Sequence, residues 1–140
     1  MKPITKHMIK LYNLDKLCFM GYTLDKTASF HHIVKKEHGG KEVIENGAVL
    51  NRYAHEYLHV IEYKDIETYQ AINKILKIIN EQRDKPTIEQ YQIISKLLEM
   101  FESEHKGDKT SKGKMLIREK YIERKYKEWL YAHRKARKIL

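Results

Sequence analysis

A mostly helical α+β fold is predicted by three observations on this 140-residue chain. Apolar residues recur at helical spacing through its second half, and two short β-compatible segments flank a Gly39-Gly40 reversal. Two prolines and six glycines are also too few for a turn-rich β sandwich. Apolar residues make up 41% of the chain against 34% charged, so it carries enough to bury a single modest core rather than stay disordered.

Residues 1–14 alternate apolar and basic side chains, consistent with a short helix. Asp15 to Tyr22 holds a compact apolar run, expected to pack beneath whatever site the chain builds. Thr27 to Val34 is β-compatible and Glu42-Val43-Ile44 is a second candidate strand, with Gly39-Gly40 supplying the permissive backbone of the reversal. Asn51 is a natural N-cap for a helix from Arg52 to Tyr63. Asp65 can cap the next helix, whose Ile66, Tyr69, Ile72, Leu76 and Ile79 form a stripe. Pro86-Thr87 breaks the chain, and Thr87 with Gln90 makes a capping box for a helix striped by Ile88, Tyr91, Ile94, Leu98 and Phe101. The two striped helices, residues 65–104, read as a helical hairpin. His105 to Gly113 is polar and reads as a linker. Lys114 to Leu140 has no Gly or Pro and would form a helix of about 40 Å at 1.5 Å per residue.

Charge divides the chain. Residues 1–104 hold 15 Lys/Arg against 15 Asp/Glu, whereas residues 105–140 hold 13 against 4, so the net +9 lies entirely in the last quarter. A block of this kind fits a polyanion, of which nucleic acid is the commonest, or else a merely solvated face. The single Cys18 excludes an intramolecular disulfide and a paired-cysteine zinc ribbon, and its apolar neighbours make it a buried small hydrophobe. The opening residues lack the apolar core of a signal peptide, and no apolar run reaches the ~18 residues of a transmembrane helix. A cytoplasmic location without membrane contact is expected.

The chemistry concentrates between Ser29 and His59, where five of eight histidines fall. His55 and His59, four apart on a helix, share one face and can grip one ion. His31 and His32 are adjacent on a strand and point to opposite faces, so one joins the helical pair while the other stays free but close. Three neutral imidazoles with open positions describe a catalytic metal site rather than a closed structural one. An all-nitrogen donor set favours Zn²⁺, Ni²⁺ or Mn²⁺ over Mg²⁺, which stays open as an alternative.

Phe30-His31-His32-Ile33, the Gly39-Gly40 turn, Glu45-Asn46, Leu50 and His55-xxx-His59 together resemble the His-Asn-His (HNH) endonuclease motif of the ββα-metal superfamily. The likeness is greatest to the colicin-type DNases, which carry His at the first position. Thirteen residues separate His32 from Asn46, eight separate Asn46 from His55, and three separate His55 from His59. The resemblance covers residues 28–62. It implies a ββα-metal core with His31, His55 and His59 as ligands to one divalent ion, His32 as general base, and Asn46 as the brace that orients His32. The implied reaction is phosphodiester hydrolysis leaving 5′-phosphate and 3′-hydroxyl ends. Many relatives add two Cys-x-x-Cys zinc pairs, absent here, so Leu17, Phe19, Phe30, Val49, Leu50 and the following helices are expected to hold the unit.

The expected organisation is then an HNH-type nuclease domain over residues 1–104, with core 28–62 and hairpin 65–104, followed by a basic linker and helix over 105–140. DNA is the expected substrate, with RNA open, and Arg118, Arg124, Lys125, Arg134, Lys135, Arg137 and Lys138 supply phosphate affinity. The hairpin could carry a homodimer or a protein partner. The alternative from another class is a phage-type interaction or inhibitor protein that uses an HNH-like core as a binding platform without turnover. A basic DNA-binding module stabilised by zinc is a third reading.

Overall fold

A computed structural model describes residues 1–105, and over that range the chain is α+β and mostly helical: four helices and one two-stranded antiparallel sheet. Helix α1 spans Pro3–Leu11 and begins with proline in its first turn, where a missing N–H costs nothing. Strands β1 (Ser29–His32) and β2 (Gly47–Leu50) pair with His31 opposite Ala48 and His32 opposite Gly47. Helix α2 (Arg52–Lys64) follows β2 directly, and α3 (Ile66–Gln82) and α4 (Ile88–Glu104) form the expected hairpin. The C-terminal helix, and with it Arg118, Arg124, Lys125, Arg134, Lys135, Arg137 and Lys138, lies outside the described residues.

Each helix start has a chemical cause. The Asn51 carboxamide oxygen accepts from the Ala54 amide at 2.7 Å, while its NH₂ donates to the Thr23 carbonyl at 3.0 Å. Asp65 ends α2 and opens α3, accepting from the Thr68 amide and hydroxyl at 3.1 and 2.7 Å. The Thr87–Gln90 capping box is present in both directions, at 3.1 and 2.8 Å.

The second strand is corrected. Glu42-Val43-Ile44 does not pair: Val43 is 40% exposed and Ile44–Asn46 forms a 3₁₀ turn, with the strand beginning only at Gly47. The displacement has a packing reason. Gly47, Ala48, Val49 and Leu50 are all buried, so β2 shows none of the apolar–polar alternation that marks a half-exposed strand. Its other edge is also occupied, because the Val49 carbonyl accepts from the Phe19 amide at 2.9 Å.

One core collects Met8, Tyr12, Phe19, Phe30, Val49, Leu50, Leu58 and the inward faces of α3 and α4. Leu17 instead pairs with Tyr91 in a small satellite cluster, and Ile66 leaves its stripe at 51% exposed. Tyr69, Ile72, Leu76 and Ile79 on α3 and Tyr91, Ile94, Leu98 and Phe101 on α4 are buried within this chain. Cys18 is fully buried, as its neighbours imply. No helix among the described residues is long and apolar enough to cross a membrane.

Candidate functional site

Strand alternation sorts the site. Ser29 and His31 face α2, and Phe30 and His32 face the other way. His31 is 2% exposed, and its ring lies 5.6 Å from that of His55 and 6.5 Å from that of His59, centroid to centroid. His55 and His59, one helical turn apart, stack at 4.9 Å. His32 sits edge-on to Phe30 at 4.8 Å, and its Nε2 is buried without a hydrogen-bond partner among the described residues. All four histidines line one concavity of about 330 Å³ together with Phe30, Lys35, Lys36, Glu37 and Tyr69. A larger groove of about 510 Å³ between Leu14–Leu17 and Asp84–Tyr91 contains no histidine.

Each of the three clustered imidazoles has one ring nitrogen engaged by an outer partner. His31 Nε2 meets Asn73 Oδ1 at 2.9 Å, His55 Nδ1 meets Ser29 Oγ at 2.8 Å, and His59 Nδ1 meets Glu62 Oε1 at 3.5 Å. Such outer contacts fix ring orientation and leave the second nitrogen to the site. Glu62 is also paired with Lys35, which reaches Glu37 at 3.5 Å on its other side.

Burial and neighbouring charge keep His31, His32 and His55 neutral. Burial pushes the His31 imidazole down to about 4, against the upward pull of its Asn73 bond, and the neighbouring His55, His59 and His32 lower it further. Burial lowers His55 as well, followed by the charges of His59 and His32. His32 is lowered first by burial and then by Lys36. Burial works to raise Glu62, but hydrogen bonds from Lys35 and His59 outweigh it and hold the carboxyl below its ordinary range. At pH 7 His31, His32 and His55 therefore carry lone pairs, the state in which imidazole binds a cation or accepts a proton.

Asn46 works as a clamp on the segment that leaves β1. Its Oδ1 accepts from the Val34 amide at 2.7 Å, its Nδ2 donates to the carbonyls of Val34 and Lys41 at 2.9 and 3.0 Å, and its own carbonyl accepts from the Ile33 amide at 2.9 Å. Gly40 completes the clamp by close approach. A Cβ there would stand 1.7 Å from the Val34 carbonyl oxygen and 2.9 Å from Asn46 Nδ2.

No family model, curated protein or solved structure matches the chain. What the site can do therefore rests on its own geometry. Among the described residues, one group brings three candidate ligand atoms within 4.8 Å of one another, and it is Asp65, Glu104 and His105 rather than the histidines. The donors of His31, His55 and His59 stand wider apart, around the concavity. The His59 side chain, 54% exposed, is the most open of the three. The Asp65 carboxylate in the tighter group is already committed to capping α3.

Ser29, Lys35, Lys36, Glu37, Glu62 and Asn73 stand at the site without being singled out in the sequence, and Tyr69, expected there only as a stripe residue, lines the concavity. Asn73 left a trace, because it interrupts the apolar stripe of α3 between Ile72 and Leu76, as Asn80 does beside Ile79. Polar residues inside a stripe that packs on a core need partners, and both asparagines have them. Tyr57, on the same helix as two of the histidines, is packing: it is buried against Phe101 at 5.8 Å. His38 is exposed in its turn.

Proposed function

We propose that the chain is a metal-dependent endonuclease of the HNH type that hydrolyses phosphodiester bonds in DNA, with its chemistry in a ββα-metal core. The observation that carries the reading is the meeting of one strand imidazole and two helix imidazoles on a single concavity, beside a fourth whose Nε2 has no hydrogen-bond partner among the described residues. The donor chemistry fits a single divalent cation. His31 and His55 are neutral, each of the three rings has an outer partner on one nitrogen, and the nearby carboxylates Glu37 and Glu62 are both paired with Lys35.

In this reading His31, His55 and His59 hold the ion, which when bound supplies Lewis acidity toward a phosphate oxygen and the leaving 3′-oxygen. His32 takes the proton of the attacking water. Its lowered proton affinity keeps the base form populated at neutral pH. Asn46 keeps His32 in place by fixing the backbone at Ile33 and Val34, immediately after it. Lys36 and Lys35 on the rim offer positive charge to the phosphate backbone.

The test is cleavage of supercoiled plasmid by the purified full chain with Mg²⁺, Mn²⁺, Ni²⁺ or Zn²⁺. His32→Ala should retain metal while turnover falls by roughly 10²–10⁴-fold. Full cleavage by that variant would remove His32 from the mechanism. No cleavage by the wild type with any of the four metals would favour a binding platform without turnover.

A further inference from the structure

The structure assigns Asn73 a positioning role: it fixes the proton of His31 on Nε2 and so leaves Nδ1 as the lone-pair nitrogen that His31 presents to the cluster. Asn73 Nδ2 donates to the Ile33 carbonyl at 2.8 Å, and a carbonyl can only accept. That contact sets which way the Asn73 amide lies, so the atom 2.9 Å from His31 Nε2 is its oxygen, Oδ1. An amide oxygen also only accepts, so His31 Nε2 must carry the hydrogen. A neutral imidazole has one N–H, and Nδ1 is therefore the nitrogen left with its pair.

Two features make this more than a local contact. His31 is almost wholly buried, so water competes weakly for its ring nitrogens, and a single side chain, Asn73, bonds Nε2. Asn73 also belongs to α3, outside the strand–strand–helix unit that carries the four histidines. The same amide that orients His31 ties the backbone of Ile33, one residue beyond His32. Helix α3 thus contributes to the site and not only to the core beneath it.

The consequence for metal uptake rests on the reading proposed above, whereas the tautomer itself does not. The experiment uses the ¹⁵N-labelled full chain, metal-free and at pH 8, and reads the His31 tautomer from long-range ¹H–¹⁵N correlation spectra. Co²⁺ affinity is measured in parallel by its visible absorption. The wild type should show His31 as Nε2–H. Asn73→Leu should lose that preference and weaken Co²⁺ binding by roughly 10–100-fold. Asn73→Asp keeps an acceptor for His31 but cannot donate to Ile33, so it should retain the Nε2–H form.

An Nδ1–H tautomer in the wild type overturns the inference, and so does an unchanged Nε2–H tautomer in Asn73→Leu. Equal loss of the Nε2–H form in the Leu and Asp variants also overturns it, because Asn73 would then act only through Ile33. If Asn73→Leu does not fold, the wild-type and Asp spectra decide alone. Failure of the wild type to bind Co²⁺ would defeat the metal reading while leaving the tautomer measurable.

Discussion

Replacing Asn80 with leucine should destabilise the fold far more than loss of one exposed amide would. Asn80 is 1% exposed, and its NH₂ group donates both hydrogens, to the carbonyls of Ile44 at 2.6 Å and Gly47 at 2.7 Å. These two carbonyls bracket the 3₁₀ turn that carries Asn46 into β2. Leucine keeps the branched shape of the side chain but leaves the Gly47 carbonyl without its donor, while the Ile44 carbonyl still accepts from the Gly47 amide. A buried acceptor stripped of its partner costs about 1–3 kcal/mol. Gly47 is buried and takes that range, while the Ile44 carbonyl keeps its bond from the Gly47 amide and adds little, so the loss is about 1–3 kcal/mol. For a domain of this size 1 kcal/mol moves the melting temperature by about 4–8 °C, which places the expected fall at about 4–24 °C. Thermal unfolding followed by circular dichroism in EDTA measures it, and amide exchange at Val34 should accelerate with it, since Val34 is clamped by Asn46. A fall under about 3 °C with unchanged exchange at Val34 would refute the reasoning.

Other substitutions probe the remaining parts of the site and fold. Gly40→Ala forces a Cβ into the Val34 carbonyl and should open the Asn46 clamp, lowering plasmid cleavage at least tenfold; wild-type turnover would show that the clamp is dispensable. Ser29→Ala removes the partner of His55 Nδ1 and should weaken Co²⁺ or Zn²⁺ binding by roughly tenfold with little change in melting temperature, read by chelator competition. Burial pushes the Tyr57 hydroxyl up to about 12, with Glu102 adding to the shift, so its neutral form is favoured by folding. That contribution is intact below pH 10, where the unfolded side chain is still protonated, and is lost as pH rises toward 12. Tyr57→Phe should therefore flatten the alkaline decline in urea midpoint, and an identical slope in the variant would discount Tyr57. Thr87→Ala breaks the capping box of α4 and should cost about 1 kcal/mol in urea unfolding.

What the sequence made legible was whatever depends on short spacing. Helical stripes, the caps at Asn51, Asp65 and Thr87, and the shared face of His55 and His59 are local relations, and all appear in the fold. The divergence of His31 and His32 was readable too, because alternation along a strand needs no tertiary information. The position of β2 was not. Residues 47–50 are buried on both faces, with α1, α2 and α3 packed against the strand, and burial of that kind erases alternation. Val43 and Ile44 look more strand-like, but Asn46 and Asn80 claim the backbone around them for a turn. The outer partners of the histidines stayed hidden for a related reason. Asn73 lies 42 residues from His31 and Ser29 lies 26 from His55, so only the folded packing of α3 on β1 and of β1 on α2 brings them together.

These distant partners also answer how so small a sheet is held. A two-stranded sheet of four-residue strands is marginal on its own, and one cysteine offers no disulfide or paired-thiolate metal to staple it. Four asparagines take that role. Asn46 ties Val34 and Lys41, Asn51 ties Thr23 and the start of α2, Asn73 ties Ile33 and His31, and Asn80 ties Ile44 and Gly47. Each side chain bonds at least two groups in the sheet or the segments that flank it, and between them they pin both strands next to the histidines. Two of the four belong to α3, so the helical hairpin contributes hydrogen bonds as well as apolar cover. A fragment limited to residues 28–62 would keep all four histidines and lose Asn73 and Asn80. If polar stapling from α3 is what orders the site, that fragment should neither fold nor take up Co²⁺, whereas the full chain should do both. A folded, Co²⁺-binding fragment would show instead that the strand–strand–helix unit orders its own imidazoles.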